Sequence, residues 1–152
     1  MGLFDFINKK NLHKGEVVNL LERYRVNERQ AYDGVPTIYY DILSHDNKKL
    51  GTIELRLTVD GINYYYGHIG YDIMQEHRGH HYAYEACREL FKIAKEEFNM
   101  NELIITCSPE NIASYKTLVK LNGVLVETVD VPKGHLLYTM GEKVKHVFKY
   151  NI

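Results

Sequence analysis

The densest chemistry in the chain is the run Glu76-His77-Arg78-Gly79-His80-His81-Tyr82-Ala83, which sets three imidazoles, a guanidinium and a carboxyl just ahead of an amphipathic segment. Backbone N–H groups at a helix start lack an intrahelical partner and together carry about half a positive charge. Such a turn holds a phosphate well where small residues let the anion approach, and Gly79 and Ala83 provide that room. The imidazoles could instead share a metal ion, but no Cys, Asp or second His group stands near them at zinc-ligand spacing, which favours a solvated or phosphate-adjacent loop. His68 has an unperturbed pKa of about 6.5, in the range of a general base. Glu54 and Arg56 share one face of an alternating segment, where Arg56 could bind a substrate carboxylate and Glu54 an amine or its proton. Each also has a plain structural reading, as a strand histidine bonded to backbone and as wet surface charges.

These residues need elements to position them. Thr37 to Leu43 is rich in β formers, Ser44 to Lys49 supplies turn chemistry, and Leu50 to Val59 resumes an extended pattern, which reads as a hairpin. Ile53, Leu55 and Leu57 alternate with Glu54, Arg56 and Thr58, so one face is core and the other charged. Tyr64 to Met74 reads as a third strand. From Gly79 the period changes: Ala83, Ala86, Cys87, Leu90, Phe91, Ala94 and Phe98 recur at helical spacing. Glu102 to Cys107 is a short buried strand, Asn111 to about Leu121 a second helix stopped by Asn122-Gly123, and Val124 to Val129 and Glu142 to Tyr150 are closing strands. Residues 16–25 fit a helix or a first strand equally well. The order predicts an α/β domain with a mixed, mostly antiparallel sheet of six to seven strands flanked by helices.

Composition narrows the classes. The chain has 152 residues with 19 Lys+Arg against 20 Asp+Glu, enough for one core and too balanced for the broad cationic field of a nucleic-acid binder. No apolar run approaches the roughly 20 residues of a membrane span, and the first residues lack a signal-peptide pattern. We therefore expect one domain over 1–152, in the cytoplasm, with Cys87 and Cys107 as reduced packing residues. An exposed strand edge offers a route to a homodimer.

Taken with the strand before it and the helix after it, the Arg78-Gly79-His80-His81-Tyr82-Ala83 loop resembles the pyrophosphate loop of the GNAT N-acetyltransferase superfamily. Gly79, Tyr82 and Ala83 match the pattern, while Glu76 and His81 depart from it. Asn111-Ile112-Ala113-Ser114 resembles the family's second signature, and Lys120-Leu121-Asn122-Gly123 is similar to its helix ending. The resemblance covers about residues 37–130.

It implies a GNAT-like three-layer fold and an enzyme that moves an acetyl group from acetyl-CoA to a primary amine by direct attack. It further implies that the amides of Arg78, Gly79, His80, His81, Tyr82 and Ala83 hold the coenzyme pyrophosphate, that the backbone of Tyr71, Asp72 and Ile73 pairs with the pantetheine arm, and that Asn111 and Ser114 contact the same arm. The amide near Tyr71 to Ile73 would polarise the thioester carbonyl. His68 or Glu54 would take the amine proton, directly or through water, and Arg56 would bind the acceptor. Many relatives carry a Tyr seven residues after the Asn to protonate the departing thiolate; that position is Leu118, so no acid is assigned and solvent can serve. The rival reading is a coenzyme-binding or sensing module without chemistry. The acceptor should be chosen by residues 1–36 and 130–142.

Overall fold

A computed structural model describes residues 11–152, so the first ten residues of the expected acceptor-selecting region lie outside the described residues. The strands are β1 (Leu12–His13), β2 (Asn19–Val26), β3 (Thr37–Leu43), β4 (Lys49–Arg56), β5 (Ile69–Ile73), β6 (Glu102–Cys107), β7 (Val124–Asp130) and β8 (Val144–Asn151). The helices are α1 (Tyr82–Phe98), α2 (Ile112–Lys120) and the short α3 (Leu136–Thr139). The ambiguous stretch at 16–25 is thus a strand from Asn19 onward, with Asn19, Leu20 and Leu21 buried. Its end is bulged, with the register shifting between Glu22 and Tyr24, which blurs the two-residue period.

The α/β architecture is as expected, but the strands do not form one sheet of six to seven. They make two sheets, β1-β2-β3-β4-β5 and β6-β8-β7, and every ladder among the described residues is antiparallel. The cause is local. Between the sheets the backbone bridges at Gly67 and Ile105, after which β5 and β6 diverge. A Cβ on Gly67 would stand 2.8 Å from the Ile104 carbonyl oxygen and 3.3 Å from the Ile105 Cα, and its φ is 72°, so both the approach and the turn need glycine here.

The expected third strand is also shorter than 64–74. Gly61–Tyr65 is a 3₁₀ turn, with the Tyr66 and Gly67 amides both donating to the Asn63 carbonyl. Tyr64 and Tyr65 therefore belong to a turn despite their β preference, because the turn's backbone bonds and its ending at Gly67 outweigh a propensity worth about 1 kcal/mol at most.

Alternation decides which residues are core. Ile38, Tyr40, Ile42, Ile53, Leu55, Ile69 and Ile73 of the first sheet pack with Ala86, Cys87, Leu90, Ile93 and Ala94 of α1. Leu103, Ile105, Leu118, Phe148 and Tyr150 extend the core across the second sheet and under α2. The opposite face of the first sheet, with Tyr39, Asp41, Thr52, Glu54, Arg56 and Asp72, is the floor of a cleft.

Candidate active site

The loop from β5 to α1 is shaped by its own backbone. Arg78 Nε donates to the Ile73 carbonyl at 2.9 Å and its guanidinium lies 3.4 Å from Asp72 Oδ1, which folds the loop back on the strand end. Gly79 (φ 88°) and His81 (φ 62°) both take left-handed conformations, and His81 caps α1 without a side-chain bond. For a residue with a Cβ that conformation costs about 1–2 kcal/mol. The first amide bonded back into the helix is that of Glu85, to the His81 carbonyl at 3.1 Å. The amides of residues 79 to 84 find no acceptor among the described residues, and the exposed His80 and His81 side chains leave the turn open.

The gap between the sheets is the second component. In an antiparallel ladder alternate residues bond to the partner strand. The bonds from the Met74 amide to Leu50 (2.9 Å) and from the Arg56 amide to His68 (2.7 Å) set the even-numbered residues of β5 toward β4. The N–H and C=O groups of Ile69, Tyr71 and Ile73 accordingly face the gap, while those of Asp72 face Thr52. On the far side Asn111 caps α2, its Oδ1 accepting the Ser114 amide at 3.1 Å. The Tyr71 hydroxyl and Ser114 Oγ meet across the gap at 2.8 Å. Burial pushes the Tyr71 hydroxyl up to about 12, against the opposing pull of Ser114 and Thr117.

The gap opens into a cleft of about 920 Å³. On one wall Arg56 donates to Glu54 Oε1 at 2.9 Å and to the Gly67 carbonyl at 3.4 Å, lies 3.9 Å from Asp33, and stacks over Tyr66 with 5.2 Å to the ring centre. Glu54 rests against bare β5 backbone: a Cβ on Gly70 would be 2.5 Å from its Oε1. On the other wall Ser108 and the buried Lys145 both donate to Glu142 Oε1 at 2.7 Å. Burial works against ionisation of Glu142, but those two donors outweigh it and hold the carboxyl below its usual range. Farther out the floor carries stacked Tyr24 and Tyr39 rings, 4.7 Å apart, and Asp41 between Arg23 (3.5 Å) and Lys49 (3.4 Å).

Of the residues singled out from the sequence, Glu54, Arg56, Tyr71, Asp72, Asn111 and Ser114 line this one cleft. Ile73 is buried beside it, and Arg78 to Ala83 form the separate open turn. His68 does not join them. Its Nδ1 accepts the Ile104 amide at 2.9 Å and its own amide donates to the Ile104 carbonyl at 2.7 Å, so it ties β5 to β6. Burial pushes its imidazole down to about 4, too weak a base to suit the role expected of it.

Tyr66 also lines the cleft, and His135 is a buried pin beside it whose ring bonds to the Ile62 carbonyl and the Leu137 amide. Ser108, Glu142 and Lys145 were missed, since no pattern in the sequence links residues 34 apart. Among the described residues no three His, Cys, Asp or Glu side chains converge to hold a metal ion.

The acetyltransferase (GNAT) domain model matches residues 6–124, most of the chain. No curated protein sequence matches significantly. Among solved structures, a GNAT-family acetyltransferase from Bacillus anthracis is 19% identical, with a TM-score of 0.60 over 74% of this chain and 65% of that one. The microcin C7 self-immunity acetyltransferase MccE, solved with acetyl-CoA and AMP, is 19% identical over 76% of this chain and 61% of its own, with a TM-score of 0.59. RimL, the ribosomal L7/L12 alpha-N-protein acetyltransferase, solved with coenzyme A, is 12% identical with a TM-score of 0.67 over 93% of this chain and 98% of that one. The chain thus spans just under two thirds of the first of these structures and nearly the whole of the last.

Proposed function

The chain belongs to the GNAT acetyltransferase family, and from that premise we propose that residues 1–152 are one N-acetyltransferase domain that moves an acetyl group from acetyl-CoA to a primary amine. The observation that carries this reading is a pair of features at the two ends of one strand: an open turn at 79–84 whose amides find no acceptor among the described residues, and a strand gap, faced by the Ile73 N–H and by the backbone groups of Tyr71 and Ile69, that borders the cleft. A diphosphate with a long thin arm fits that path. The turn supplies N–H donors for the phosphates, and Tyr71 and Ile73 supply strand-like partners for the amides of the arm, with Asn111 and Ser114 on the opposite side.

When bound, acetyl-CoA supplies an activated acyl group as a thioester. The chain's part is positioning and charge. The Tyr71 amide points a donor into the gap where a thioester carbonyl would lie. Glu54 stands at the acceptor side of the same strand, with Oε1 held by Arg56 and Oε2 without a partner among the described residues, so Oε2 takes the amine proton directly or through one water. Arg56 is occupied by Glu54, Gly67 and Tyr66, and its contribution to the acceptor is to fix the base. The acceptor enters over the outer face of β3 and β4, and residues 130–142 close one side through Leu137 and Met140.

No helix among the described residues is long and apolar enough to cross a membrane. The buried free thiols of Cys87 and Cys107 suit a reducing compartment, and we place the protein in the cytoplasm. β7 lies at a sheet edge with Val124, Leu125 and Val126 exposed, and we place a homodimer contact there; a sedimentation profile that stays monomeric at high concentration removes it.

The test is a melting-temperature titration with acetyl-CoA followed by thiol release with a panel of amines and peptides. The transferase reading expects both a stabilised fold and free thiol. Stabilisation without thiol from any acceptor would instead identify a coenzyme-sensing module.

A further inference from the structure

The charges of the cleft are unevenly spread. Beside the inner wall Arg56 stands between two carboxylates, Glu54 at 2.9 Å and Asp33 at 3.9 Å, which leaves that group one negative charge in excess. Farther out the balance reverses: Asp41 stands between two cations, Arg23 at 3.5 Å and Lys49 at 3.4 Å, one positive charge in excess. The remaining charges that line the cleft are matched one to one, Glu142 with Lys145 and Asp72 with Arg78. Asp41 is largely buried beneath its partners, whereas both cations are half exposed and meet no second acceptor among the described residues. A guanidinium has five N–H donors and an ammonium three, so one shared carboxylate leaves most of them available.

A bulge builds this outer pole. In β2 the register passes from Glu22 opposite Tyr40 to Tyr24 opposite Tyr39, which makes Arg23 the extra residue. Strict alternation would send Arg23 to the cleft and Tyr24 to the α1 side. The bulge brings both to the cleft, where Arg23 reaches Asp41 and Tyr24 stacks on Tyr39. Tyr39 lies opposite Glu54 in the β3–β4 ladder, and Asp41 lies opposite Thr52. The two poles are therefore two residues apart along the same strands, about 7 Å.

We propose that the acceptor is a primary amine carrying an anionic group, carboxylate or phosphate, which Arg23 and Lys49 bind while the nitrogen enters beside Glu54. The inference rests on the transferase reading above and names the acceptor class that reading leaves open. The amine arrives as an ammonium and is drawn to the carboxylate excess, the anion to the cation excess, so the field of the cleft turns the acceptor nitrogen inward. A reversed acceptor meets like charge at both ends, and a cationic group in place of the anion is repelled at the outer one. An acidic side chain at the second position of an extended peptide fits the spacing, as does a short phosphorylated amine.

The test is thiol release from acetyl-CoA by the full chain with two acceptor series. One is a tetrapeptide with an alanine N-terminus followed by aspartate, asparagine or lysine; the other pairs 3-aminopropyl phosphate with 3-aminopropanol. In at least one series the wild type should favour the anionic acceptor over the neutral one by about tenfold in kcat/KM, carried mainly by KM. The series with the larger preference identifies a peptide or a small molecule as the source of the anion. Arg23→Glu combined with Lys49→Glu should invert the peptide order, with lysine ahead of aspartate. Asp41→Asn adds to the positive excess and should widen the preference by about threefold, which a merely structural triad would not do. The melting temperature with acetyl-CoA checks that each variant keeps its fold. Acceptors of all three charges used within about twofold of one another in both series overturn the proposal, as does an order that survives the double charge reversal. No thiol from any acceptor by a chain that acetyl-CoA stabilises overturns the transferase reading, and the proposal with it.

Discussion

The coenzyme end and the acceptor end of this cleft are built from different materials. At the end proposed for the coenzyme the groups on offer are main-chain amides, in the open turn at 79–84 and along the edge of β5 that faces the gap. At the end proposed for the acceptor they are charged side chains held in pairs, Arg56 between Glu54 and Asp33, and Glu142 by Lys145 and the Ser108 hydroxyl. Main-chain groups tolerate substitution because every residue has them. Charge pairs do not, so one wall can keep its ligand while the other changes its substrate.

That contrast can be broken by experiment. The largest effect should come from Glu54→Gln, which removes the proton acceptor at nearly constant shape: kcat should drop about 100-fold or more while calorimetric affinity for coenzyme A moves less than twofold. A comparable loss of affinity would show that the two ends are not independent.

His68 sharpens the division between chemistry and scaffold. Its folded pKa of about 4 lies below the unfolded value, so the folded chain binds fewer protons. Stability should be complete above about pH 6.5 and fall as pH drops toward 4, by at most about 3 kcal/mol. Chemical denaturation across that range should show the slope, and His68→Asn, whose Oδ1 can accept the Ile104 amide, should flatten it and keep kcat within about threefold. A collapse of kcat would return His68 to the catalytic group.

Arg56→Met leaves the Glu54 carboxylate without its donor in a wall where the Arg56 side chain is 12% exposed. A fully buried pair loses about 3–5 kcal/mol on such a change; with Glu54 a quarter exposed, about 2 kcal/mol is expected in urea unfolding, with coenzyme affinity unaltered. The smallest effect should come from His81→Gly. It relieves the left-handed strain and should stabilise the fold by about 1 kcal/mol, with coenzyme affinity within about threefold because the amides remain.

The same division explains what could be read in advance. The periodicity of α1 and the alternation of β4 come from neighbours in sequence, and the boundaries of β3 and β6 were legible to the residue. The open turn before α1 was legible for the same reason, since Gly79 and the helix start are contiguous. The Tyr64 and Tyr65 turn was not, because its shape is set by Asn63 and Gly67 against the Ile105 bridge, a contact nearly forty residues away in sequence. The Glu54 wall was half legible: Glu54 and Arg56 sit two apart on a strand, but Asp33 and Tyr66 reach Arg56 only through the fold, as Glu142 and Lys145 reach the opposite wall. The role of His68 hung on the Ile104 amide, which no local pattern announces.

The contact at Gly67 and Ile105 behaves as the pivot of a pair of dividers. Its two arms are sheets, and the proposed ligand path lies between them, so a displacement too small to disturb either sheet at the pivot would be magnified along β5 before it reaches Tyr71 and Ile73. A single added methyl at residue 67 would therefore be felt as a wider or skewed channel several residues away. The close approach at Gly67 thereby sets the width of the gap beside it.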